Sequence, residues 1–140
     1  MKRRDFLKTT ALAALMPVAA FAAGDENWTH YRPGVVDALL KDGKTVFLDF
    51  SAVWCGTCKA QERQISILMG ENAAYVENVV FVRVDWDAYR NAAITFDLEI
   101  PRQSTLVVLK GEEELGRIVA GTRYGDIKAL MDTALNAATG

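Results

Sequence analysis

Thr45-Val46-Phe47-Leu48-Asp49-Phe50-Ser51-Ala52-Val53-Trp54-Cys55-Gly56-Thr57-Cys58-Lys59-Ala60-Gln61-Glu62-Arg63 is the stretch around which the rest of the chain is organised. Val46, Phe47, Leu48 and Phe50 form a short apolar run between Gly43 and Ser51, the pattern of a buried strand. After a brief polar break, a run of helical type begins beyond Cys55 and Cys58 and carries Ile65 and Leu68. A Cys-x-x-Cys pair therefore falls on the first turn of a helix that follows a buried strand. Free N–H groups and the positive end of the helix dipole lie there. Both stabilise a thiolate, so Cys55 is expected to be acidic and nucleophilic. That combination points to redox chemistry.

The chain of 140 residues, 51% hydrophobic and with only three prolines, suits one α/β domain with a proper core. The first 22 residues hold Lys2, Arg3, Arg4 and Lys8 against Asp5, a net +3, which leaves −5 for the remainder of a chain whose total is −2. A mildly acidic domain without a basic patch excludes nucleic acid as the expected partner. Two cysteines three residues apart close almost no loop, so stapling the fold is not their role.

Residues 1–22 read as an export signal peptide: a basic head, an apolar stretch from Ala11 to Ala22 broken by Pro17, and an Ala20-Phe21-Ala22 end of signal-peptidase form. The apolar part is shorter than the ~20 residues a spanning helix needs. The head Arg3-Arg4-Asp5-Phe6-Leu7-Lys8 is twin-arginine-like, with Lys2 where that motif carries Ser or Thr, so the general secretory route stays open. Either route delivers residues 23–140 to a bacterial periplasm, where disulfide-bearing proteins are available as clients and no membrane contact is expected once the signal is removed.

The remaining elements follow from periodicity and turn residues. The chain from Asn27 is expected to start loosely, with a helix over residues 33–41 and a turn at Lys41-Asp42-Gly43-Lys44. A helix over 56–69, a short helix over 71–77 and a strand over 79–84 come next. A helix is expected over 88–96 and a strand over 106–109, and Lys110-Gly111-Glu112-Glu113 reads as a hairpin turn. A strand over 115–119 and an amphipathic helix over 124–137 complete the chain. That order implies a mixed central sheet with helices on both faces.

With Trp54 before the pair, Lys59 after it and Asp49 six residues ahead of Cys55, the chain resembles the thioredoxin-fold family over most of residues 23–140. The resemblance implies a buried carboxylate at Asp49 behind Cys58. It also implies a cis-proline at Ile100-Pro101 facing the cysteines, and a glycine beside the site at Ala120-Gly121. Glu62, taken with Asp49, is similar to the acidic pair in the C-terminal domain of DsbD, a periplasmic thiol reductant carrier. Two departures stand out: Gly56-Thr57 replaces Gly-Pro between the cysteines, and Arg102-Gln103-Ser104 lengthens the segment after Pro101.

The expected reaction is attack by Cys55 on a client disulfide, with Cys58 resolving the mixed disulfide and Asp49 taking the proton of Cys58 through water. Pro101 would keep backbone close to the sulfurs, Ile100 would pair with a client strand, Trp54 and Gly121 would border the client, and Glu62 would tune pKa values. Acidic neighbours favour a protein-disulfide reductase over an oxidase, and electrons would come from a membrane thiol reductant carrier to a monomer that needs no cofactor. Arg83 and Arg102 are candidate partners for the acids, Trp28 and Trp86 are packing residues, and His30 and Glu112–Glu114 are surface. Two alternatives come from other classes: a soft-metal (copper) chaperone and a non-catalytic binding module. Against the first, no histidine or methionine lies within ten residues of the pair.

Overall fold

The computed structural model describes residues 25–140; the export signal expected over residues 1–22 lies outside them. Five strands, β1 (Trp28–His30), β2 (Thr45–Ser51), β3 (Val80–Asp85), β4 (Thr105–Lys110) and β5 (Glu113–Val119), form one sheet in the order β1-β3-β2-β4-β5. Strands β1, β3 and β2 run parallel, while β4 is antiparallel to both β2 and β5. Parallel neighbours need a crossover, and between β2 and β3 it is supplied by α2 (Gly56–Glu71) and α3 (Ala74–Asn78). The β4–β5 hairpin turns at Gly111, whose φ of 59° suits a residue without Cβ.

Side chains alternate across β2, and the two hydrophobic clusters divide on that alternation. Phe47 packs with Phe81, Leu106, Ile65 and Leu68 on the face covered by α2, α3 and α6 (Tyr124–Thr139). Val46, Leu48 and Phe50 pack with Val82, Val84 and Val107 on the face covered by α1 (Val35–Lys41) and α5 (Ala93–Asp97). Asp49 shares the parity of Phe47. It therefore lies on the α2 side of the sheet, and its partner in register, Arg83, shares the parity of Phe81. A charged pair has been placed inside the layer that α2 closes.

The mixed sheet with helices on both faces is as the sequence implies, and three local readings change. The expected loose start contains β1, with Trp28 buried and paired in register with Phe81. The single helix expected over 88–96 is two short ones, α4 (Trp86–Tyr89) and α5, bridged where Thr95 Oγ1 donates to the Tyr89 carbonyl at 2.7 Å. Among the described residues there is no cis peptide bond, so the bond before Pro101 is trans.

Candidate active site

Cys55 sits at the N-cap of α2, with extended backbone (φ −90°, ψ 112°), and its sulfur accepts a hydrogen bond from the Cys58 N–H at 3.2 Å. A sulfur thus occupies the place that a Ser or Asp oxygen fills at other helix starts, against the positive end of a 16-residue helix. Cys58 lies one turn further along the buried stripe of α2, which continues through Gln61, Ile65 and Leu68. Both thiols are free. Cys55 keeps 4% of its surface and Cys58 2%, so both residues are buried and Cys55 is the more accessible by a small margin.

Burial pushes the Cys55 thiol up, but hydrogen bonds from Cys58, Ser104 and the backbone N–H groups of Cys58 and Thr57 outweigh it and hold the thiol below the usual cysteine range. Cys58 moves the opposite way: burial raises it, and the hydrogen bond to Cys55 raises it further. The pair is therefore asymmetric, with a thiolate favoured at Cys55 and a thiol at Cys58.

Asp49 is 1% exposed, and neither of its oxygens has a hydrogen-bond partner among the described residues. Its nearest cation is Arg83, with Nε 3.7 Å from Oδ2. An ionised carboxylate buried without hydrogen bonds is costly. Burial accordingly pushes the Asp49 carboxyl up to about 7, with Arg83 pulling it down and Glu62 adding to the rise. Arg83 is the hub of this cluster: Nη2 stands 3.4 Å from Glu62 Oε1, Nη1 stands 3.7 Å from Asp25, and the guanidinium carbon lies 4.3 Å over the Trp28 ring. A cavity of about 480 Å³ beside the β2–α2 junction, lined in part by Ser51, Ala52, Lys59, Glu62 and Arg83, brings solvent to this cluster.

Of the other expected site residues, Trp54 is 60% exposed at the rim, and its Nε1 donates to both carboxylate oxygens of Asp87, 3.0 and 3.1 Å away. Gly121 is partly buried beside Gln61: its carbonyl accepts from Gln61 Nε2 at 3.0 Å, and a Cβ there would stand 2.8 Å from Ile118 Cγ2. Glu62 joins the Arg83 cluster, whereas Arg102 is exposed and, among the described residues, donates to the neighbouring Gln103 carbonyl rather than to an acid.

Pro101 and Ile100 are corrected. Pro101 is exposed, and Ile100 is buried in the core with Val84 and Val107 while its N–H donates to the Thr95 carbonyl at 3.0 Å, so that N–H is not free to pair with a client strand. Ser104 faces the sulfurs instead, with Oγ 3.1 Å from Cys55 Sγ and 3.1 Å from Cys58 Sγ. A proline cannot replace it in this conformation, because its φ is 65° and its N–H donates to the Phe50 carbonyl at 2.7 Å. Ser104 and Gln61 were absent from the sequence-derived site. The antiparallel register that sets Thr105 opposite Phe50, at the strand end leading to the cysteines, was the signal for Ser104.

Among the described residues, no three His, Cys, Asp or Glu side chains converge to hold a metal ion. Fold and site together define a dithiol protein built on a mixed sheet, with its cysteine pair at the mouth of a helix. The Thioredoxin family model matches residues 32–133, and the chain belongs to that family. It is 35% identical to thioredoxin H2-1 of Oryza sativa subsp. japonica over 111 residues, covering 79% of this chain and 70% of that one. It is 32% identical to the H-type thioredoxin of Brassica campestris over 115 residues, 81% and 85% of the two chains. The crystal structure of Trxlp from Edwardsiella tarda EIB202 superposes with a TM-score of 0.62 at 27% identity, covering 75% of this chain and 95% of that one. Family membership and the intact Cys55–Cys58 pair support thiol–disulfide exchange with disulfide-containing proteins as the chemistry of the site.

Proposed function

We propose that this protein is a periplasmic thiol–disulfide oxidoreductase that reduces disulfides in exported proteins. The observation that carries the reading is the sulfur of Cys55 at the N-cap of α2, accepting from the Cys58 N–H and standing 3.1 Å from Ser104 Oγ. In the first step the Cys55 thiolate attacks a client disulfide; a Cys55–client bond forms, the client S–S bond breaks and a client thiolate leaves. Cys58 then loses its proton and attacks Cys55 Sγ. The Cys55–Cys58 disulfide forms, the second client thiolate departs, and two electrons have passed to the client. Asp49, poised near pH 7, is the group on the α2 side of the sheet suited to receive the Cys58 proton, by way of water.

The direction of flow rests on the acidic groups: Asp49 and Glu62 oppose negative charge near the pair and so disfavour a strong oxidant. Resupply of electrons by a membrane thiol reductant carrier, to a protein acting as a monomer, is part of this proposal; the carrier is suggested by the resemblance, read from the sequence alone, of Asp49 and Glu62 to the acidic pair in the C-terminal domain of DsbD. The periplasmic assignment and the division into a signal (residues 1–22) and a domain (residues 23–140) rest on the charge and cleavage pattern of the first 22 residues. Reduction of insulin disulfides with dithiothreitol as recycling reductant tests the reaction. Wild type accelerates precipitation and Cys55→Ser does not; equal rates for the two would remove the reading.

A further inference from the structure

The position facing the sulfurs carries a hydroxyl, and that hydroxyl is held from several sides. The Ser104 carbonyl accepts from Ala120 N at 2.8 Å and from Gln61 Nε2 at 2.9 Å, and the Ser104 N–H donates to Phe50 at 2.7 Å. The end of β2, the middle of α2 and the end of β5 thus converge on one residue kept at φ 65°, a conformation that costs a non-glycine residue about 1 kcal/mol. Gln61 is fully buried on the core stripe of α2, where an apolar side chain would pack without a polar atom left over. Its Nε2 nevertheless serves two carbonyls, while its Oε1 has no partner among the described residues. A strained backbone and a buried amide are together maintaining one side chain between two sulfurs.

We propose that the Ser104 hydroxyl, held in place by Gln61, is the hydrogen-bond donor that fixes the negative charge on Cys55 rather than Cys58 and biases the pair toward its dithiol form. A hydroxyl has one proton to give. Cys55 Sγ already accepts from the Cys58 N–H, so the consistent arrangement is Ser104 O–H donating to Cys55 Sγ, with the one Cys58 S–H proton shared between Cys55 Sγ and Ser104 Oγ. Both bonds have a strong partner only in the reduced state. Once the S–S bond forms, no sulfur carries a charge or a proton, and the hydroxyl faces two weak acceptors. Ser104 therefore acts against the reducing bias of Asp49 and Glu62. Gln61 is a positioning residue that acts through Ser104. The other charged groups on the elements around the pair (Asp49, Lys59, Glu62, Arg83, Asp85 and Asp87) are untouched by substitution at 104.

This inference rests on the proposed exchange reaction, and equilibration against glutathione buffers at about pH 8 separates the two. Ser104→Gly keeps the backbone conformation and removes the hydroxyl; Ser104→Ala keeps the Cβ. Both are expected to move the dithiol–disulfide equilibrium toward disulfide by about tenfold, which is about 30 mV for two electrons. Gln61→Met should shift it in the same direction, and add nothing on the Ser104→Gly background. Variants within twofold of wild type, or a shift with Ala but none with Gly, would overturn the role of the hydroxyl. A full further shift for Gln61→Met in the Ser104→Gly protein would overturn the coupling. If wild type itself forms no Cys55–Cys58 disulfide at any glutathione ratio, the exchange reaction fails, and this inference with it.

Discussion

Replacing Asp49 by Asn should stabilise the protein, and the gain should depend on pH. In the folded chain the carboxyl keeps its proton up to about pH 7, whereas unfolded it ionises at 3.8. Between those values unfolding releases a proton, so rising pH favours the unfolded chain. The contribution of Asp49 is complete below pH 3.8, declines through the window and is lost above about 7, where the buried carboxylate is charged without hydrogen bonds. At about 1.4 kcal/mol for each pH unit the window corresponds to about 4 kcal/mol. Asn resembles the protonated acid in shape and does not titrate. Urea unfolding at a series of pH values should find the Asn variant more stable by about 2–4 kcal/mol at pH ~8.5, with the difference falling below about 1 kcal/mol at pH ~4. A difference that is flat with pH, or a variant weaker than wild type at high pH, would refute the account of Asp49 as a carboxyl that pays for its burial when charged.

Other substitutions probe the remaining parts of the site. Cys58→Ser should accumulate a mixed disulfide between Cys55 and insulin, visible on a non-reducing gel, because nothing resolves it; absence of the adduct would count against Cys55 as the attacking group. Arg83→Met removes the cation 3.7 Å from Asp49, so the Asp49 carboxyl should titrate above about 7 when followed by carbon-detected NMR; an unchanged or lower midpoint would mean that Arg83 does not act on it. Gly121→Ala places a Cβ 2.8 Å from Ile118 Cγ2 and should lower stability by about 1–3 kcal/mol in urea unfolding; a neutral variant would show that the two neighbouring segments can shift apart.

The fold was legible because its central strands are short continuous apolar runs, buried on both faces, and its long helices carry clear buried stripes. The cysteine pair was equally plain, since the change from strand to helix places it at a helix start whatever the rest of the chain does. Strand β1 was hidden: three residues with a single buried side chain, Trp28, carry no period, and only pairing with β3 makes them a strand. The break between α4 and α5 was hidden as well, because Arg90, Asn91 and Ala92 bear no Pro or Gly to announce it. Pro101 attracted the role that Ser104 fills because residue type is visible in a sequence and register is not. A pairing that sets Thr105 opposite Phe50 puts residue 104, not 101, beside the sulfurs. Gln61 was unreadable for a related reason: a polar residue on a helix is ordinarily solvated, and its burial depends on two carbonyls, at residues 104 and 121, far away in the chain.

The account depends above all on a thiolate at position 55. Alkylation of the reduced protein by iodoacetamide across a range of pH, with each cysteine followed by mass spectrometry, measures that directly. Cys55 should react first, with a midpoint below the 9.0 of an unperturbed thiol, while the Cys58 midpoint lies above it. A Cys55 midpoint at or above 9.0, or labelling that begins at Cys58, would contradict the account.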